Sequence, residues 1–235
     1  YNQIRQSILV DRFNVKFLAR EGVWGEVGVS HATIEGWGSL RVLPNLVMIN
    51  PADAVEAEKA TEAMMQYIGP VALKMEMSPN PFTIFTDDYP FTIGKAYSLR
   101  DGKDATIVAT GYMVTEAIKA VDLLEKEGLD VGVLNVSTLK PIDEEAIIAA
   151  AERTGAIVTA ENSSDINGLG DAVACVLCEN LPTPIVKVGV EDEFGQSGLM
   201  TPEKDELMEH FAFSAEDLVV SVKEVIEKKK RLAAR

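Results

Sequence analysis

Histidine and cysteine are scarce, with two of each in 235 residues. Two cysteines cannot build the disulfide framework of a small secreted domain, and no second CxxC or ligand-spaced histidine turns Cys175-Val176-Leu177-Cys178 into a zinc site. A redox CxxC belongs at a helix N-terminus, where the helix dipole lowers the thiol pKa. Here it falls within a helical pattern, with Leu169, Ala172, Val173, Val176 and Leu177 at i, i+3, i+4, i+7 and i+8, so both cysteines are expected to pack in the core. Positive charge is also short: 22 Lys and Arg against 37 Asp and Glu give a net charge of -15. A phosphate backbone is held by clustered Lys and Arg, which excludes a nucleic-acid partner. The one basic run, Lys228 to Arg231, reads as a solvated helix end. No stretch resembles a signal peptide or a membrane span, so a cytoplasmic chain without a membrane partner is expected. GxGxxG, Walker A, HExxH and GxSxG motifs are all missing. Gly168-Leu169-Gly170 opens a helix and offers N–H groups to an anion, but it lacks a third glycine and the acid that reads a ribose. A close helix–strand contact accounts for it better.

What is present is an α/β pattern. Apolar residues make up 47% and charged residues 25%, the proportions of a chain that buries a core. Strands are expected at 15–19, 46–49 and 71–75, with helices from about His31 to Arg41 and from Asp53 to near Gly69. Residues 78–91 break the rhythm with prolines at 79, 81 and 90, which remove backbone donors and favour extended geometry; this reads as a linker. The pattern restarts with strands at 105–110, 131–136, 156–160 and 185–190. Helices alternate with them: one follows Met113 and ends at Gly128, and one is capped by Asp143 and ends at Gly155. Another lies around Leu169 to Cys178, and a last one runs from about Ala215 to Lys229. Short apolar strands alternating with helices imply parallel pairing under crossover helices. The fold class is therefore α/β with two parallel-sheet units, residues 1–77 and 92–235. The chain opens on Tyr1 with a patterned segment at once, as if inside a domain.

Candidates for chemistry are few. His210 fits a surface position. His31 follows Gly22-Val23-Trp24-Gly25-Glu26-Val27-Gly28-Val29-Ser30, a loop whose three glycines permit close backbone approach to a ligand. With Ser30 as N-cap, His31 would project from the first helical turn; an ordinary helix-start histidine is the competing reading.

Taken together these stretches resemble the transketolase family. Tyr1-Asn2-Gln3-Ile4-Arg5 is similar to the helix that follows the pyrimidine-cradling segment of its second domain. Gly25 to His31 is similar to its Gly-Glu-Asp-Gly-x-Thr-His loop, and Leu40 to Asn45 followed by Asn50 to Glu56 resembles the stretch after it. In the second half, Lys140-Pro141-Ile142-Asp143, Glu161 to Gly170 and Phe194 to Gly198 resemble the C-terminal transketolase domain. The resemblance implies that residues 1–77 are the back portion of a pyrimidine-binding domain and 92–235 the C-terminal domain. Thiamine diphosphate and magnesium would be bound mainly by a portion that is absent here, on the same chain or on a partner subunit, in a homodimer or heterotetramer. The implied activity moves a two-carbon ketol unit from a ketose to an aldose or aldehyde, with the isolated chain inactive and sugars as the small-molecule substrates. His31 would hydrogen-bond the oxygens of that unit. Glu26 and Ser30 in the same loop, with Lys74 and Arg20, are the implied substrate-binding residues.

Val27 stands where the family loop has Asp, Ala32 where it has Gln, and Met77 where it has a phosphate-binding Arg. An apolar side chain cannot reward a hydroxyl or a phosphate, so a preference for small or unphosphorylated substrates is expected unless Lys74 or Arg20 supplies the charge. Two other readings stay open. One is a 2-oxo-acid dehydrogenase β subunit or deoxyxylulose-phosphate synthase; the other is a non-catalytic homologue.

Overall fold

The computed structural model describes residues 1–23, 33–75, 82–194 and 204–234. A helix α1 (Asn2–Ile4) runs into a π-helical turn (Arg5–Leu9) and is followed by β1 (Lys16–Arg20), α2 (Gly36–Arg41), β2 (Val47–Ile49), α3 (Ala54–Gln66) and β3 (Val71–Met75). Further along come β4 (Tyr97–Arg100), β5 (Ala105–Ala109), α4 (Met113–Lys126), β6 (Val131–Asn135), β7 (Thr138–Lys140) and α5 (Glu144–Thr154). The chain continues through β8 (Ile157–Ser164), α6 (Leu169–Asn180), β9 (Ile185–Val190), α7 (Lys204–His210) and α8 (Ala215–Ala233). Among the described residues no helix is long and apolar enough to cross a membrane.

Local chemistry accounts for the helix ends. The Asp53 carboxylate accepts the Glu56 N–H and starts α3, Asp143 accepts the Ala146 N–H and starts α5, and Ser214 with Asp217 forms a capping box on α8. Helix α5 stops at Gly155, which takes φ +60, a left-handed conformation that glycine adopts without strain. Lys229 of the C-terminal basic run donates to the Thr154 carbonyl at 2.6 Å and closes the same helix end.

The chain forms two mainly parallel sheets. One has the order β1-β3-β2-β7 and the other β4-β6-β5-β8-β9. In the first, β1 and β2 both run parallel to β3, while β7 pairs antiparallel with β2 through Ile49↔Thr138 and Met48↔Lys140. In the second only β4 is antiparallel. Strand β7 lies in sequence among the strands of the second sheet yet completes the first. The core ignores the halves in the same way: Trp37, Leu43, Met48 and Ala72 pack in one cluster with Val108, Leu134, Ile147, Leu169 and Val173.

Several expectations need correction. Of the helix expected from about His31 to Arg41, the part within the described residues begins at Gly36; residues 33–35 are not helical, and the N-cap residue is Glu35, without a side-chain cap, while Ser30 and His31 lie outside the described residues. Strands β4 and β7 had no clear sequence signal, because β4 is a half-exposed edge strand and β7 has three residues. Both cysteines are exposed, not packed. Helix α6 buries Leu169, Ala172, Val173, Val176 and Leu177, and Cys175 and Cys178 stand on its opposite face.

Residues 82–91 have no regular structure but are firmly seated. The Asp53 carboxylate that caps α3 also accepts the N–H groups of Ile84 (2.6 Å) and Phe85 (2.8 Å). Tyr89 donates its hydroxyl to Glu56 at 2.8 Å, and Asn135 at the end of β6 donates to the same carboxylate oxygen at 2.7 Å. Glu56 is thus a buried junction of both sheets and the segment between them. Burial pushes its pKa above the ordinary carboxylate value, against the hydrogen bonds from Ala52, Tyr89 and Asn135.

Candidate functional site

In an open parallel sheet the carboxyl ends of the strands are where loops gather to hold ligands. Adjacent strands β1 and β3 end side by side, with Arg20 opposite Met75. The stretch 21–35 leaves from the first and 76–81 from the second. The sequence candidates Glu26, Ser30 and His31, with Val27 and Ala32, lie on 24–32, outside the described residues. So does Met77, and so do Gly195 to Gly198.

The residues on either side of 24–32 form a closed neck. The Gly22 N–H donates to the Thr33 carbonyl at 3.0 Å and brings the two ends together. Val23 and Ile34 on either side are buried in the core of the second sheet, among Ile107, Val158 and Val190. From β8, the Ser164 N–H donates to the Ile34 carbonyl at 2.9 Å. Glu21, before the neck, is buried beside Gly36 at the start of α2.

The two described candidates part company. Cross-strand neighbours share a face and successive residues alternate, so Arg20, opposite Met75, and Lys74, opposite Ala19, point to opposite faces of the sheet. Arg20 is exposed at the end of β1. Lys74 is only 1% exposed and donates to the Asn162 side-chain oxygen at 3.0 Å. No single anion meets both side chains. His210 is exposed at the end of α7, edge-on to Phe211.

Glu161, beside Asn162, fills the position that the helix start at Gly168 to Gly170 offered to an anion. Its carboxylate accepts the Gly170 N–H at 2.9 Å and the Ser163 hydroxyl at 3.1 Å. A Cβ on Gly168 would stand 2.1 Å from a Glu161 carboxylate oxygen, so any side chain there would push that carboxylate out of place. Burial raises the Glu161 pKa above its ordinary value, while the Gly170 and Leu169 N–H groups and the Lys74 ammonium oppose the rise. The helix dipole here serves the protein's own carboxylate. Glu56, Tyr89, Asn135, Glu161 and Asn162 are buried polar residues that sequence reasoning did not single out. Their partners lie far away in sequence, and no local pattern points to them. Among the described residues no group of three or more His, Cys, Asp or Glu is arranged to hold a metal ion.

Comparison with known proteins supplies the rest. The family model described as "Transketolase, C-terminal domain" matches residues 94–218. The 6-deoxy-6-sulfo-D-fructose transketolase subunit SqwH of Clostridium sp. (strain MSTE9) is 40% identical over 230 residues, covering 97% of this chain and 70% of that protein. An apulose-4-phosphate transketolase subunit of Phocaeicola vulgatus is 32% identical over 228 residues, covering 96% of this chain and 72% of that protein. A solved structure described as "Split gene transketolase, inactive beta4 tetramer" superposes with a TM-score of 0.90 at 40% identity, covering 97% of this chain and 72% of that one.

Proposed function

The chain belongs to the transketolase family and corresponds to its C-terminal portion, and from that premise we propose that it is one half of a split, thiamine-diphosphate-dependent enzyme. The enzyme moves a two-carbon ketol unit from a ketose donor to an aldose or aldehyde acceptor. The observation that carries this reading is the 40% identity to a transketolase subunit along 97% of the chain, over a fold with a TM-score of 0.90 to a split-gene transketolase.

Thiamine diphosphate, when bound, supplies the nucleophilic carbon on which such transfers depend. By family resemblance the magnesium–diphosphate contacts come from the first domain of such enzymes, to which residues 1–77 and 92–235 do not correspond. The reading therefore assigns the diphosphate and its metal to an N-terminal portion or subunit, in a heterotetramer or homodimer in the cytoplasm. This chain's part is on the substrate side. Its strand ends present the 24–32 segment, on which His31 donates to or accepts from the oxygens of the two-carbon unit, with Glu26 and Ser30 beside it. Arg20, exposed at the end of β1, extends the same edge. Lys74 is closed off from solvent and hydrogen-bonded to Asn162, and as a substrate-side candidate it supplies its charge behind the same strand ends.

Val27 and Met77 favour small or unphosphorylated acceptors, since neither offers a hydrogen bond or a charge. A second reading has a specific observation behind it: one relative is named for a sulfonated sugar and another for a phosphorylated one. In that reading Arg20 meets the anionic end of the substrate.

Reconstitution tests the proposal. The chain alone, titrated calorimetrically with thiamine diphosphate and magnesium, should show no tight binding and no ketol transfer. Adding a separately expressed N-terminal subunit should restore both. Micromolar cofactor binding by this chain alone would overturn the division of labour.

A further inference from the structure

We propose that Arg41 and Lys140 form an anion-binding site at the seam of the two halves, one that takes a small phosphate monoester. The proposal stands on described residues of this chain and does not depend on the reading above.

In an acidic chain many cations find a carboxylate, as Lys95, Arg100, Lys119 and Lys187 do here. Arg41 and Lys140 do not. Arg41 ends α2 and Lys140 ends β7, and hydrogen bonds join them: the Lys140 ammonium donates to the Arg41 carbonyl at 2.9 Å and to the Leu43 carbonyl at 2.6 Å. Both side chains are half-buried, and among the described residues neither makes an ion pair. Asp171 is near enough for its charge to act on Arg41, but its oxygens are taken by the Asn167 N–H at 2.6 Å and the Lys187 ammonium at 3.2 Å. The two cations also oppose one another. Burial, and after it the Arg41 charge, holds the Lys140 ammonium below its ordinary pKa. Like charges held together without a counter-charge are unfavourable, and an anion set between them removes that cost.

The surroundings complete the site. Arg41, Lys140 and Asn167 line an open cleft of about 340 Å³ together with Val42, Leu139 and Ile142. Asn167 fixes the guanidinium: its side-chain oxygen accepts from Arg41 Nη1 at 2.8 Å, and its own amide donates to the Gly38 carbonyl at 2.6 Å. A guanidinium held in this way is pre-organised for an anion. Among the described residues Arg41 Nε and Nη2 make no hydrogen bond, and Lys140 keeps the third of its donors free. The edge formed by Nε and Nη2 is the fork that takes phosphate or carboxylate oxygens in pairs. Two cations match a dianion, and a phosphate monoester carries close to two charges at neutral pH. Its organic part then lies against Val42, Leu139 and Ile142. Strand β7 runs antiparallel to β2, from Thr138 opposite Ile49 to Lys140 opposite Met48, so the cleft lies toward the amino ends of the parallel strands. Arg20 and Met75 are at the carboxyl ends, and an anion held in the cleft is not the one that Arg20 would meet.

Calorimetric titration of the full chain with glycerol phosphate, inorganic phosphate and butyrate, at a fixed ionic strength of about 0.15 M, tests the site. The expected result is saturable one-to-one binding of glycerol phosphate, weaker binding of inorganic phosphate and weaker still of butyrate. Arg41→Met and Lys140→Met should each weaken glycerol phosphate binding by at least about tenfold, the scale of one hydrogen bond to a charged group. Lys103→Met, which removes an exposed lysine elsewhere, should leave it unchanged. Because Arg41 also ties α2 to Asn167, Val42→Asp gives a second test. Val42 is 57% exposed, so this variant should match the parent in circular dichroism and thermal melting. Its new carboxylate should pair with the two cations and abolish binding. An absence of saturable binding to the parent chain overturns the proposal, and so does binding that survives Val42→Asp. An equal loss in Lys103→Met would mean general charge attraction and overturns it too. Tighter binding of butyrate than of either phosphate overturns the assigned ligand class.

Discussion

Replacing Asp53 with alanine should unbalance the protein more than any surface change, because one carboxylate serves two elements. One oxygen accepts the Glu56 N–H at 2.8 Å and caps α3; the other accepts the N–H groups of Ile84 and Phe85 at 2.6 and 2.8 Å. The side chain is buried, so water does not replace it freely. Loss of a helix cap costs about 1 kcal/mol. Each hydrogen bond to a charged group contributes about 1.5–3 kcal/mol, so the two to the 82–91 segment bring the total to about 4–7 kcal/mol. Domains are stable by about 5–15 kcal/mol in all, so Asp53→Ala should be close to unfolding at room temperature. Asp53→Asn keeps one carbonyl-type oxygen and should lose roughly half as much. Urea unfolding followed by circular dichroism measures both, with a constant m value showing that the same surface is exposed. Hydrogen exchange at the Ile84 and Phe85 amides localises the effect. If Asp53→Ala stays within about 1 kcal/mol of the parent, those amides have other partners and the segment is not anchored as described.

The remaining predictions concern the site and its ionisation. In the reconstituted enzyme, His31→Ala should lower kcat by the equivalent of about 2.7–4 kcal/mol, the size of removing one oxyanion donor, with cofactor affinity unchanged by calorimetry; normal turnover would leave His31 without a part in the reaction. Glu56 and Glu161 both have folded pKa values raised by burial. The folded state therefore holds protons that the unfolded chain has released, and stability should fall as pH rises from about 4.5 through the folded values. Thermal melts across that range should show the decline. Glu161→Gln, whatever it does to absolute stability, should flatten the slope; an unchanged slope would mean Glu161 titrates normally.

How much of this could be read from sequence depended on range. Val71–Met75 and Ile185–Val190 are mainly apolar runs, each interrupted by one lysine, between turn residues, and both strands fall where the residues predict. Asp53, Asp143 and Gly155 mark helix ends by local chemistry alone. The outward face of Cys175 and Cys178 was also legible, since neither belongs to the i, i+3, i+4 set formed by Leu169, Ala172, Val173, Val176 and Leu177. Treating cysteine as a core residue overrode that pattern. Pairings such as Lys74 with Asn162, or Glu56 with Asn135, join residues roughly eighty positions apart and leave no periodic trace. The significance of His31 came from family resemblance, because a glycine-rich loop before a helix is common and its chemistry depends on neighbours outside the loop.

Strand β7 has a consequence for synthesis. As the chain leaves the ribosome, β1, β2 and β3 emerge before the strands of the other sheet, but the strand that flanks β2 is not available until Lys140 has followed. By then β4, β5, α4 and β6 of the other sheet are already out. The edge of β2 must therefore wait through a full crossover of its neighbour, and contacts this distant in sequence slow folding. The nascent protein cannot mature front to back, one half before the other. The two halves complete together, and a truncation that removed β7 would leave β2 with an open edge of the kind that recruits foreign strands.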